Sequence, residues 1–138
     1  MKREILFRAQ LLDSKEWIEG YYYLAFKDDS EAFILSINDG VVYQVNPETV
    51  CQFTGLTDKN GTKIFESDII KATSGRSYVI IFTTWTHDEK RNKFLTDRYE
   101  FTGWCISKDG INPCDTLDSE TLLGEKIGNI YDNSELLK

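Results

Sequence analysis

The sequence predicts a mainly β protein, a meander of strands followed by a small barrel, with a few short helical turns. Three observations carry that expectation. Seven Tyr, eight Phe and three Trp stand beside only two Pro and one Met, a bias toward residues that pack on pleated surfaces. The apolar residues come in runs too short for amphipathic helices. Asp39-Gly40 and Asn60-Gly61 separate such runs, where a hairpin needs residues that tolerate positive φ.

In chain order, Glu4 to Ala9 and Trp17 to Phe26 read as two strands divided by polar Asp13 to Glu16, and Asp28-Asp29-Ser30 interrupts before Ala32 to Ile37. Asn38-Asp39-Gly40 leads into Val41 to Val45 as a type I′ hairpin, with positive φ at both central residues, so residues 1–45 form a meander. Asn46-Pro47-Glu48-Thr49 offers a cap, a Pro at the first helical position and an acid in the first turn, which suits one helical turn. Cys51 to Gly55 and Thr62 to Phe65 flank a second hairpin tip at Asp58-Lys59-Asn60-Gly61, and Glu66-Ser67-Asp68 turns the chain into Ile69 to Ala72. Tyr78 to Trp85 and Tyr99 to Ile106, β-branched and aromatic throughout, are expected to pair. Between them Thr86 to Arg98, including Asp88-Glu89-Lys90-Arg91-Asn92-Lys93, reads as an exposed, mobile loop, too polar to pack and long for a hairpin. A loop at Asp109 to Pro113, a weak helix or turn over Asp115 to Leu123, a last strand over Lys126 to Tyr131 and a helical turn over Asn133 to Leu137 complete the chain. Five strand-like segments after residue 62 suit an SH3-like small β-barrel. The expected organisation is an N-terminal β meander over 1–65 packed with that barrel over 66–138.

At 138 residues the chain is long enough to bury a core without disulfides or metals. Its net charge of −7, with 23 acidic and 16 basic side chains, repels phosphate backbones and anionic membranes, so nucleic acid is a disfavoured partner and a membrane is not expected. Charged Lys2-Arg3-Glu4 stands where a signal peptide needs apolar residues, and no apolar run approaches a membrane span; the expected location is cytoplasmic. Cys51, Cys105 and Cys114, irregularly spaced, read as reduced thiols.

The search for chemistry turns up little. His87 and the three Cys lack the spacing that gives zinc two ligands from one turn, and Asp58-Lys59-Asn60-Gly61 lacks the remaining ligands of a calcium loop. No nucleophile elbow, S-x-x-K or phosphate-binding loop occurs, and His87, in the charged stretch, reads as solvated. Glu66 and Asp68 would share a face if extended, but such acidic pairs arise by chance in so acidic a chain. The expectation is a protein without catalytic residues, metal or cofactor. Trp85, Tyr99 and Trp104, with Phe101, are candidate binding residues, since small barrels bind peptides or single strands on aromatic faces; filling the barrel interior is their competing role. Lys90 and Arg91, with Lys93, are candidates for touching an acidic partner or phosphate.

Three blocks resemble the YopX family of bacteriophage and prophage proteins. The strongest runs from Phe53-Thr54-Gly55-Leu56-Thr57-Asp58-Lys59-Asn60-Gly61 to Ile69-Ile70 and is similar to a signature of the form TGL.DKNG..I.EGDI. Arg3 to Ala9 with Trp17 to Tyr21, and Ile127-Gly128-Asn129-Ile130-Tyr131 to Leu137, are similar to the family's terminal blocks. Leu6 stands where a basic residue is common and Ser67 where Gly is usual, which points to a reshaped turn at 67. The resemblance implies a phage or prophage origin, a β-rich fold ending in an SH3-like barrel, and no established activity. Gly55, Asn60, Gly61 and Asp58 are all explained by backbone geometry and turn hydrogen bonding. The expected function is therefore that of a non-enzymatic accessory protein that binds another protein. Alternatives are nucleic-acid binding by the barrel and an acidic nucleic-acid mimic that blocks a host factor. Exposed strand edges leave room for a homo-oligomer.

Overall fold

The computed structural model describes residues 4–23 and 31–137, and the chain divides into two compact units. The first comprises Met1–Leu56 with Lys63–Phe65, the second Thr57–Thr62 with Glu66–Lys138. Both are built on antiparallel sheets, as the strand-forming composition requires. The expected end of the second strand at Leu24 to Phe26 and the interruption at Asp28 to Ser30 lie outside the described residues.

The first sheet runs β4-β3-β2-β1-β5-β6, from β1 (Phe7–Gln10), β2 (Trp17–Tyr23), β3 (Ala32–Ser36), β4 (Val42–Val45), β5 (Cys51–Thr57) and β6 (Lys63–Phe65). The first four are the expected meander, each pairing with its sequence neighbour. Alternation buries Ala32, Ile34 and Ser36 on one face of β3, and Ala9, Ala32, Ile34 and Val45 form one apolar cluster. A second cluster joins Leu6, Cys51, Phe53 and Phe65. The meander curls until Val45 bridges Leu11, with the Asn46 amide donating to the Gln10 carbonyl at 2.9 Å. Gly20, facing Phe7 on one side and Ser36 on the other, is crossed so closely that a Cβ there would lie 1.9 Å from the Leu35 carbonyl oxygen. The helical turn at Pro47–Thr49 forms as expected, Asn46 Oδ1 accepting from the Glu48 amide.

The hairpin at Asp39-Gly40 differs in detail from expectation. Gly40 has φ of +71° and Asp39 does not share the positive region, so the turn is not type I′. A right-handed turn closed by one left-handed Gly is the longer hairpin loop with a bulge. The tip at Asp58-Lys59-Asn60-Gly61 repeats the arrangement: only Gly61 has positive φ, at +80°, and its amide donates to the Asp58 carbonyl at 3.0 Å.

The second sheet runs β10-β9-β8-β7-β11, from β7 (Asp68–Lys71), β8 (Ser77–Lys90), β9 (Thr96–Ser107), β10 (Pro113–Thr116) and β11 (Glu125–Asn129). Ile69, Ile70, Val79, Ile80, Cys105 and Ile106 are its buried apolar side chains at the base. β10 and β11 lie at opposite edges and are not paired with each other, so the sheet stays open and the expected closure of an SH3-like barrel is absent from the strand pairing. The weak helix over Asp115 to Leu123 resolves into the end of β10 and the single turn α1 (Ser119–Leu122). Ser67 adopts φ of +73°, the left-handed conformation that Gly would accept freely and that costs an ordinary residue about 1 kcal/mol. Its amide and carbonyl bond Ile80 and Ile130, which hold it there. Because this residue turns the chain, Glu66 and Asp68 do not share the face that an extended segment would give them. No helix among the described residues is long and apolar enough to cross a membrane.

Candidate functional site

The largest departure from expectation is at 86–98. This stretch is not a loop: β8 and β9 stay in register from Val79 opposite Ser107 to Lys90 opposite Thr96. The chain reverses only at 91–95, where the Arg91 amide donates to the Leu95 carbonyl and Asn92 Oδ1 accepts from the amides of Phe94 and Leu95 at 2.8 and 3.0 Å. Charge patterning explains the difference. Residues that look merely solvated in sequence become cross-strand partners: Arg98 Nε and Nη2 grip the Asp88 carboxylate at 2.8 and 3.1 Å, and Arg91 Nη2 meets Asp97 at 3.0 Å. Opposite charges facing across strands support pairing where like charges would oppose it. The Arg98 guanidinium holds the Asp88 carboxyl below its ordinary range.

Period-two alternation divides the ribbon into two faces. One carries Phe82 packed edge-on against Trp104 with ring centroids 5.1 Å apart, then Thr84 and Thr102 with hydroxyls 2.9 Å apart, then the Asp88–Arg98 pair, then Lys90 opposite Thr96. The other is aromatic. Trp85 sits opposite Phe101 and His87 opposite Tyr99, and the Trp85 and His87 rings stack at 5.4 Å with an interplanar angle of 5°. Phe101 lies over Gly103, where a Cβ would come within 2.9 Å of its ring. Tyr99 is 54% and Phe101 41% exposed, so this row is not a barrel interior.

The structure thus brings Trp85 and Tyr99 together, adds Phe101 and His87 to them, and places Trp104 on the opposite face. Lys90 lies on the Trp104 face, and Arg91 begins the tip, engaged by Asp97. His87, expected in a solvated loop, is exposed, but on a strand and against an indole. The tip ends in Phe94, 83% exposed, which the sequence does not single out because it sits inside a charged run.

Elsewhere Asp58 and Asp109 serve the backbone. Asp58, 6% exposed, accepts from the amides of Asn60 and Thr62 on Oδ1 at 2.9 and 3.0 Å and from the Lys126 amide on Oδ2 at 2.9 Å. Burial pushes this carboxyl up, but the three amides and the Lys126 charge outweigh it and hold it below the ordinary range. Asp109 accepts from the Asn112 and Ile111 amides and is likewise held low. Lys126 Nζ pairs with buried Asp68 at 3.1 Å. A cavity of about 270 Å³ in the second unit is lined by Arg76 and Lys108 against Asp115 and Asp118, a balanced set. Cys114, an exposed residue, borders it, and partial desolvation pushes its thiol up. Among the described residues no three His, Cys, Asp or Glu side chains gather as a metal site would need.

A family profile described as YopX protein matches residues 6–138. No curated protein matches the chain. Among solved structures, protein EF1440 from Enterococcus faecalis is similar at 23% identity, covering 99% of this chain and 100% of that one with a TM-score of 0.49.

Proposed function

The chain belongs to the YopX family, and on that premise we propose that it is a non-enzymatic phage or prophage accessory protein that binds another protein through the aromatic face of the β8–β9 ribbon. The observation that carries this reading is the row Trp85, His87, Tyr99 and Phe101 on a two-stranded extension, with His87, Tyr99 and Phe101 exposed and Trp85 half-buried. Two strands alone are marginal in water, and aromatic anchors at modest entropic cost are what protein interfaces favour. Nucleic acid is the weaker partner: Arg91 and Arg98 are neutralised by Asp97 and Asp88, and the chain carries −7 overall.

Replacing Phe101 by a photocrosslinking phenylalanine analogue in bacterial cells tests the reading. One discrete adduct to a protein other than this chain is expected, reduced about tenfold when Trp85→Ala is added. The same analogue at exposed Tyr131 should give none. No adduct, or one that ignores Trp85→Ala, contradicts the proposal, and an adduct to nucleic acid instead transfers the site to the alternative partner.

A further inference from the structure

The outer edge of β9 is open where the ribbon leaves the sheet. β10 reaches only Cys105, Ile106 and Ser107, and the last bond to that edge is the Leu117 amide donating to the Trp104 carbonyl at 3.0 Å. Because backbone groups alternate along an antiparallel strand, the amides and carbonyls of Thr102, Glu100, Arg98 and Thr96 point the same way as that of Trp104. Among the described residues no strand pairs with them. Open edges of this length are usually blunted or filled.

We propose that a second copy of the chain fills this edge, the two β9 strands pairing antiparallel about a two-fold axis at Tyr99. The order of charges selects this register. An axis at Arg98, Glu100 or Asp97 sets a charge against itself, and one at Phe101 leaves Arg98 and Glu100 without ionic partners. At Tyr99 each Arg98 faces the other copy's Glu100, each Thr96 faces the other Thr102, and all of these have outward backbone groups, so the register satisfies hydrogen bonding and charge together. Arg98 then spans from its own Asp88 to the second copy's Glu100.

A chain of −7 repels its copy at long range, but the ribbon does not. Between 82 and 104 the acids Asp88, Glu89, Asp97 and Glu100 balance the bases Lys90, Arg91, Lys93 and Arg98, leaving zero net charge at the contact. Edge pairing lies in the plane of the ribbon, so the aromatic face stays open and doubles in width with Tyr99 beside Tyr99. The inference is independent of any partner of that face, since the purified chain alone tests it.

Sedimentation of the full-length chain across a concentration series should show a monomer–dimer equilibrium. Glu100→Arg and the charge exchange Asp88→Arg/Arg98→Glu, which keeps an ion pair inside the ribbon, each place like charges opposite one another twice across the axis, and each alone should weaken association about tenfold or more. Mixed together, the two variants set bases at positions 98 and 100 of one chain against acids at positions 100 and 98 of the other, so the mixture should recover the dimer as a heterodimer. That recovery also shows that both variants fold. Glu100→Pro removes an outward amide together with the carboxylate that would face the second copy's Arg98, and should give a folded monomer. A wild type that stays monomeric at every concentration overturns the pairing and leaves the edge to a strand from a different protein. Dimerisation indifferent to the charge reversals, or a mixture that fails to recover it, overturns the register.

Discussion

Replacing Asp58 with Ala lowers the unfolding free energy by about 3 kcal/mol, the net loss from three amide-to-carboxylate bonds in a buried site. One carboxylate here holds the hairpin tip through Asn60 and Thr62 and reaches the Lys126 amide of β11, 68 residues away in the chain. Removing it leaves those amides short of an acceptor. Asp58→Asn keeps one oxygen for the tip but turns an amide donor toward Lys126, and costs about 1–2 kcal/mol. The sign with pH follows from the carboxyl being held below its unfolded value of about 3.9. Its stabilisation is fully present above about pH 4 and is lost as pH falls through the folded value. Urea unfolding at about pH 7 and again at about pH 3 should therefore show the gap between wild type and Asp58→Asn narrowing under acid.

Gly20→Ala is expected to cost about 3 kcal/mol, although it adds a single methyl group to a strand. The new Cβ would lie 1.9 Å from the Leu35 carbonyl oxygen, 2.7 Å from its carbon and 2.9 Å from Ile34 Cγ2, and the first two are backbone that cannot rotate away. Relief requires β2 and β3 to separate at the centre of the sheet. Gly40→Ala is the control: nothing lies within 4 Å of its Cβ, and only the φ of +71° opposes it, at a cost of about 1 kcal/mol. Equal destabilisation of the two variants in urea would show that crowding at Gly20 is not what makes glycine necessary there.

What is legible in the sequence follows local periodicity and turn chemistry. Alternating aromatic and β-branched residues locate most strands, Asn46-Pro47 locates the helical turn, and the place of Asp58 before Asn60-Gly61 marks it for turn hydrogen bonding. The reach of Asp58 to Lys126 is not legible, because it joins residues far apart in the chain. Nor is Gly20, whose need for glycine comes from the strand crossing it. At 86–98, polarity imitates a loop. In hairpin register Asp88 falls opposite Arg98, and Arg91 reaches Asp97, which offsets the like charges of Glu89 and Asp97 facing each other, so the polarity is compatible with paired strands. Trp85, Tyr99 and Trp104 stand out in sequence as a group, but a two-residue period places Trp104 on the other face once the register is known. Strand number suggests closure into a barrel, yet it does not specify which strands become edges.

Both functional proposals depend on the ribbon existing in this register. Cross-strand Hα–Hα nuclear Overhauser effects measure it, because pairs whose backbone groups point outward bring their Cα atoms to about 4.5 Å. Such effects are predicted between Thr84 and Thr102, Thr86 and Glu100, and Asp88 and Arg98. Their absence beyond Trp85, with coil-like shifts from 86 to 98, would contradict the ribbon and with it the aromatic face and the β9 edge.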